Sequence, residues 1–136
     1  MKRPEPVQTL KTRRDAALER LVTSVPYLGF LGIRFDRRGD ELTATLPYRD
    51  GLIGNPVLPA LHGGVIAGFL ESTAIIELAW ALQWEAMESA AAASTAIPEG
   101  PVTLPKTIDI TVDFLRSGLP RDAYARARVN RSGRRY

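Results

Sequence analysis

Residues Asn55 to Ser72 read NPVLPALHGGVIAGFLES: a proline-rich approach, the chain's single histidine, a glycine pair, then an apolar run holding one acid. Pro56 and Pro59 keep the approach out of helix, whereas nothing beyond the glycines obstructs one. A helix is therefore predicted to start near Gly63 or Gly64 and to run at least to Leu82. Its opening turns, VIAGFLESTAIIELAW, carry bulky apolar groups on nearly every side, as in a helix enclosed by other structure. Glu71 and Glu77 interrupt the run short of the roughly 20 apolar residues of a bilayer crossing, so burial in protein is the expectation. Alanine propensity extends the helix through QWEAMESAAAAS. A straight helix as far as Ala93 would measure roughly 45 Å at ~1.5 Å per residue, more than a small domain covers, and a break is expected near Trp80 to Glu85.

Upstream of the quoted stretch, residues 7–24 repeat Leu10, Ala17, Leu18, Leu21 and Val22 at helical spacing, and Pro26 limits that helix. YLGFLGI follows as an apolar link. Ile33 to Asp36 and Glu41 to Leu46 then form a predicted hairpin about Gly39, with Leu42, Ala44 and Leu46 alternating against Glu41, Thr43 and Thr45. Pro47 to Leu61 is a structured loop, because Leu52, Ile53, Val57 and Leu58 need packing partners. Downstream, TAIPEGPVTLP connects to KTIDITVDFLRSG, which alternates Ile108, Ile110, Val112 and Phe114 against Thr107, Asp109, Thr111 and Asp113 and predicts a strand. After the LPRD turn, a second strand is predicted over Ala123 to Val129. The sum is a single α+β domain over residues 1–136, an antiparallel sheet crossed by one long helix.

Composition narrows the chemistry. No cysteine and one histidine among 136 residues exclude a thiolate or histidine-rich metal centre, so no metal is expected. The basic, polar start lacks the apolar core of a secretory signal, and cytoplasm is the default expectation. The net charge of +3 conceals seven arginines against Asp122 between Arg116 and Tyr136. Such a patch attracts nucleotide phosphates or nucleic acid. Nucleic acid is disfavoured, because Tyr124 and Tyr136 are the patch's only aromatics and no RNA-binding signature is present.

The order of hairpin, proline-glycine loop, buried helix and alternating strand, with HGGVIAGFLE and ITVDFLRSG, resembles the hotdog-fold acyl-CoA thioesterases of the phenylacetate-degradation type. The likeness covers roughly Gly29 to Tyr136. It implies a sheet wrapped around the central helix, a homodimer as the minimal active unit with sites at its interface, and tetramers in some members. It also implies a further strand beyond the arginine-rich turn, so an incomplete C-terminal strand is expected in a chain ending at Tyr136.

Thioester hydrolysis needs donors for the charge that develops on oxygen and a group to deliver or become the nucleophile. Gly64, with no side chain to shield its N–H, is the first candidate donor and Gly63 the second; tight packing is the other reading of the pair. Glu71, nine residues after His62, is the candidate base or nucleophile, with a structural ion pair as its alternative and Glu77 as rival. The resemblance implies that His62 holds the loop and that Asn55 helps place water or thioester, although an asparagine before proline is also an ordinary turn former. The NPVLPALH interval is one residue longer than usual in the family. Thr107 is a possible auxiliary, equally readable as sheet surface; Asp109 and Asp113 read as strand surface. Arg116, Arg131, Arg134 and Arg135 are candidates for the phosphates of coenzyme A, which belongs to the substrate; no separate cofactor is required. Phe69, Trp80 and Trp84 either shape an acyl tunnel or pack the core. The leading reading is an acyl-CoA thioesterase for aryl or short-to-medium acyl groups. A non-catalytic acyl-CoA-binding or structural hotdog protein, or a hotdog hydratase or dehydratase, stands beside it; no nucleic-acid or membrane partner is expected.

Overall fold

The computed structural model describes residues 7–90 and 101–133. Two helices lead in, α1 (Val7–Thr23) and α2 (Pro26–Leu31), followed by strands β1 (Arg34–Arg38) and β2 (Glu41–Leu46). A 3₁₀ turn (Asp50–Leu52), β3 (Ile53–Asn55) and β4 (Ala60–Leu61) precede the long helix α3 (Gly63–Ala90), and β5 (Ala123–Ala125) completes the order.

The apolar spacing of α1 is its packing face: Ala17, Leu18 and Leu21 are buried. The first five residues of the link YLGFLGI belong to α2. Pro26 occupies the first turn of α2, where its missing N–H is no loss. Gly32, at φ +71°, closes α2 by donating to the Gly29 carbonyl at 3.1 Å, while Ile33 donates to that of Leu28 at 2.9 Å. Leu28 and Leu31 point inward.

β1 and β2 pair antiparallel from Arg34 opposite Thr45 to Arg38 opposite Glu41, and β2 pairs antiparallel with β5 through Ala44 opposite Ala125. This gives the order β1-β2-β5. Leu42, Ala44 and Leu46 are buried, as the alternation requires, and share one core with Phe69, Ile76, Ala79 and Trp80 of α3. Each of the buried leucine, isoleucine and phenylalanine side chains among them contributes about 1.5–3 kcal/mol by leaving water. Thr73 enters the same core by donating its hydroxyl to the Phe69 carbonyl at 2.8 Å. Trp80, wholly buried, donates its indole N–H to the Asp40 carbonyl at 3.1 Å and so ties α3 to the hairpin turn. By length and composition α3 is apolar enough to cross a membrane, but the sheet and α1 pack on it as on a core helix.

The expected break near Trp80 to Glu85 is absent, and α3 is one helix of 28 residues. The reason is α1, which covers the later turns: Arg14 lies 4.0 Å above the Trp84 ring and pairs with Glu88. Trp84 in turn packs against Trp80 with the rings tilted and their centroids 5.8 Å apart. The possible extension to Ala93 falls outside the described residues.

The strand predicted from Thr107 to Phe114 does not form among the described residues. Its alternating face is exposed, with Ile108 at 75% and Phe114 at 56%. Alternation states which side chains prefer an apolar face, whereas a strand also needs a neighbour for its backbone, and no described segment pairs with this one. Likewise the second predicted strand shrinks from Ala123–Val129 to Ala123–Ala125, which pairs with residues Ala44 to Leu46 of β2.

Candidate functional site

The approach to α3 is a small hairpin. His62 donates its N–H to the Leu52 carbonyl at 2.8 Å, and β3 faces β4 with Ile53 opposite Leu61 and Asn55 opposite Ala60. The Asn55 carboxamide oxygen accepts the N–H groups of Val57 at 3.0 Å and Leu58 at 3.2 Å, closing the intervening turn. Turn formation is thus what this asparagine does within the chain. The register shifts between Ile53 and Asn55, at Gly54. A Cβ on Gly54 would stand 2.6 Å from Cα and 2.7 Å from Cβ of His62. Gly54 was not among the predicted site residues; a glycine inside a strand is the one signal that marks such a bulge or close approach.

His62 caps α3. Its carbonyl accepts from Val65 at 3.1 Å and Ile66 at 3.2 Å, and its Nδ1 accepts the Gly64 N–H at 2.8 Å. His62 thus holds the first turn of α3 through both its carbonyl and its ring nitrogen. It also corrects the order of the two glycines: the Gly64 N–H, ranked first as a donor for substrate, is already bonded within the chain. The Gly63 N–H has no acceptor among the described residues, as is usual at a first helical position. The Phe114 ring lies against Gly63, 3.5 Å from where a Cβ would be.

Asn55, His62, Gly63, Phe114, Arg116 and Ser117 line one groove of ≈ 480 Å³. The FLRSG segment reaches it because Leu61 donates to the Gly118 carbonyl at 2.9 Å, and a Cβ at Gly118 would meet Ile66 at 3.0 Å. A second groove of ≈ 960 Å³ continues past Leu61, Ile66 and Arg116 toward Tyr48, Asp122 and Tyr124. Tyr48 donates its hydroxyl to Asp50 at 2.7 Å, and this bond, followed by burial and the Asp50 charge, holds the phenol above its ordinary value of 10.0. Phe69 lines this groove, whereas Trp80 and Trp84 serve the core.

Glu71 lines neither groove. It is half-buried on the α3 face that carries Gly64, Ala67, Gly68, Ala74, Ile75 and Leu78, of which Gly64 and Ala74 are exposed. Its rival Glu77 lies toward the hairpin turn of Asp40 and Glu41. Burial, then repulsion from those two acids, raises the Glu77 carboxyl above its ordinary 4.5. Thr107 is half-buried and outside both grooves; Asp109 and Asp113 are exposed, and no metal-binding group occurs among the described residues. Arg116 lines both grooves, Arg131 is exposed outside them, and Arg134 and Arg135 lie outside the described residues.

No family model and no curated protein matches the chain. The crystal structure of a protein from the thioesterase superfamily aligns with a TM-score of 0.62 at 23% identity, over 88% of this chain and 80% of that one. The chain has the hotdog fold. In hotdog terms α3 is the central helix, β1, β2 and β5 belong to the surrounding antiparallel sheet, and the first groove opens at the helix start.

Proposed function

We propose that this hotdog protein is an acyl-CoA thioesterase that hydrolyses aryl or short-to-medium acyl-CoA to the free acid and coenzyme A. The observation that carries the reading is the convergence of Asn55, His62, Gly63 and Arg116 on one groove at the start of the central helix. There the Gly63 N–H is available to the thioester carbonyl and Arg116 offers charge to the phosphates of coenzyme A, with the exposed Arg131 outside the groove as a further phosphate candidate. Glu71 belongs to a neighbouring face of α3, so the site is proposed to close in a homodimer, with Glu71 of one copy facing the groove of the other; a tetramer built from such dimers is compatible. As Glu71 takes a proton, water oxygen bonds to the carbonyl carbon. Collapse then breaks the C–S bond, and the proton returns to the departing thiolate. Direct attack by the carboxylate, followed by hydrolysis of the anhydride, uses the same placement. No metal enters either route.

A second reading, an acyl-CoA-binding protein without turnover, is favoured by two bonds: the Gly64 N–H and the Asn55 oxygen are both engaged within the chain. Thiol release from aryl, short and medium acyl-CoAs tests the choice, comparing wild type with Glu71→Gln and Glu71→Ala. Hydrolysis that collapses in both variants supports the thioesterase. A folded wild type that releases no thiol overturns it, and binding without release favours the second reading. Full activity in Glu71→Gln removes Glu71 from the chemistry.

A further inference from the structure

A tetrahedral oxyanion is best held by two donors, and with the Gly64 N–H bonded to His62 the α3 face of Glu71 lacks the one expected there. Another donor stands on that face. Tyr27 of α2 places its hydroxyl 2.8 Å from the position a Cβ on Gly68 would take, and its ring carbon Cε1 lies at 3.5 Å. Gly68 is four residues after Gly64 and three before Glu71, so the three share one helical face. A long helical side chain leans toward the N-terminus and covers the preceding turn; for Glu71 that turn is Gly68. The hydroxyl of Tyr27 and the carboxylate of Glu71 are thereby directed to the same patch. The tyrosine is 45% exposed, and its hydroxyl has no hydrogen-bond partner among the described residues. Its backbone is nevertheless fixed: Pro26 and Gly32 bound the helix, and Leu28 and Leu31 anchor it.

We infer that Tyr27 is a substrate-binding donor of the Glu71 site, its hydroxyl hydrogen-bonding the thioester carbonyl oxygen over Gly68. Gly68 is part of the same device, because a Cβ there would stand 2.8 Å from the hydroxyl and force it to shift. The inference rests on the thioesterase reading and gives its site a second donor, beside the Gly63 N–H from the opposing copy.

Two variants and two coenzyme A analogues test it. Tyr27→Phe removes the hydroxyl and keeps the ring; Gly68→Ala puts a methyl 2.8 Å from the hydroxyl and displaces it. The analogues are a ketone, with CH₂ in place of the thioester sulfur, and a thioether that lacks the carbonyl. Tyr27→Phe is expected to keep the wild-type melting temperature, since the hydroxyl has no partner among the described residues, and to lower kcat/KM on the order of 10²-fold, with KM raised to the extent that ketone binding is weakened. It should also bind the ketone roughly 3- to 10-fold more weakly while binding the thioether as wild type does, with Gly68→Ala following the same pattern. Equal ketone affinity in wild type and Tyr27→Phe overturns the role of Tyr27. If Glu71→Gln is inactive in the same assays, the thioesterase reading survives that result. A wild type that binds the analogues without hydrolysing still decides on Tyr27 through the ketone–thioether difference. A wild type that neither hydrolyses nor binds overturns both.

Discussion

The imidazole Nδ1 of His62 accepts the backbone N–H of Gly64 at 2.8 Å. The side chain thus performs at the start of α3 the task usually given to Ser, Thr, Asp or Asn, and it does so with a bare ring nitrogen, which fixes the proton on Nε2. His62→Ala is expected to destabilise the protein by about 0.5–2 kcal/mol, the cost of an unsatisfied first turn. His62→Asn, which restores a short acceptor, should recover most of that loss. Urea denaturation of the two variants measures the difference.

Gly54 has no alternative residue. Its missing Cβ lies 2.6 Å from the backbone of His62, so the obstacle is main chain and cannot rotate away. Gly54→Ala is expected to cost about 1–3 kcal/mol as forced overpacking and to disturb the cap of α3 with it. A midpoint in urea equal to that of wild type would contradict this.

Asn55 can be tested for its two roles at once. Its oxygen closes the turn by accepting from Val57 and Leu58, which a carboxylate also does. Asn55→Asp is expected to keep wild-type stability, whereas Asn55→Ala loses about 1 kcal/mol. If the amide also places the thioester, Asn55→Asp will be stable and yet slow in thiol release.

Glu77 sets a pH dependence. Its folded-state carboxyl titrates above the ordinary 4.5 because it is partly buried near Asp40 and Glu41. Between 4.5 and that raised value the native state binds more proton than the unfolded chain, so stability falls as pH rises through this window. Above it the charged form is a constant handicap. Glu77→Gln is therefore expected to raise the melting temperature at pH 7, with the advantage vanishing below pH 4.5. Thermal denaturation across pH checks both the sign and the window.

Trp80 joins α3 to the β1–β2 turn through its buried ring and its bond to the Asp40 carbonyl. Trp80→Ala is expected to cost about 3–5 kcal/mol, as emptied aromatic sites in cores do. Val57→Ala, at a side chain 89% exposed, should leave the denaturation curve within roughly 0.5 kcal/mol of wild type.

Periodicity made α1, the β1–β2 hairpin and α3 legible, because each declares its buried face within a few turns or residues: Leu18 and Leu21, Leu42 and Ala44, Phe69 and Ile76 are all in the core. The positions of His62 and the glycines at the start of α3 were equally local. What failed was whatever depends on a second segment. Ile108, Ile110 and Phe114 alternate as a strand does but have no described backbone neighbour, and Trp80 to Glu85 stay helical because α1 covers them.

By itself the sequence determined the apolar faces of α1, β2 and α3 and the helix start at the HGG block, since these follow from side-chain chemistry and spacing along one chain. Only the tertiary structure decided that the Gly64 N–H is engaged and the Gly63 N–H has no described acceptor, that Gly54 must be bare for His62 to pass, and that Tyr27 stands over Gly68. Those facts depend on which atoms approach within a few ångströms across the fold, and hydrogen bonds and hard contacts at that range are not written in the spacing of residues along a chain.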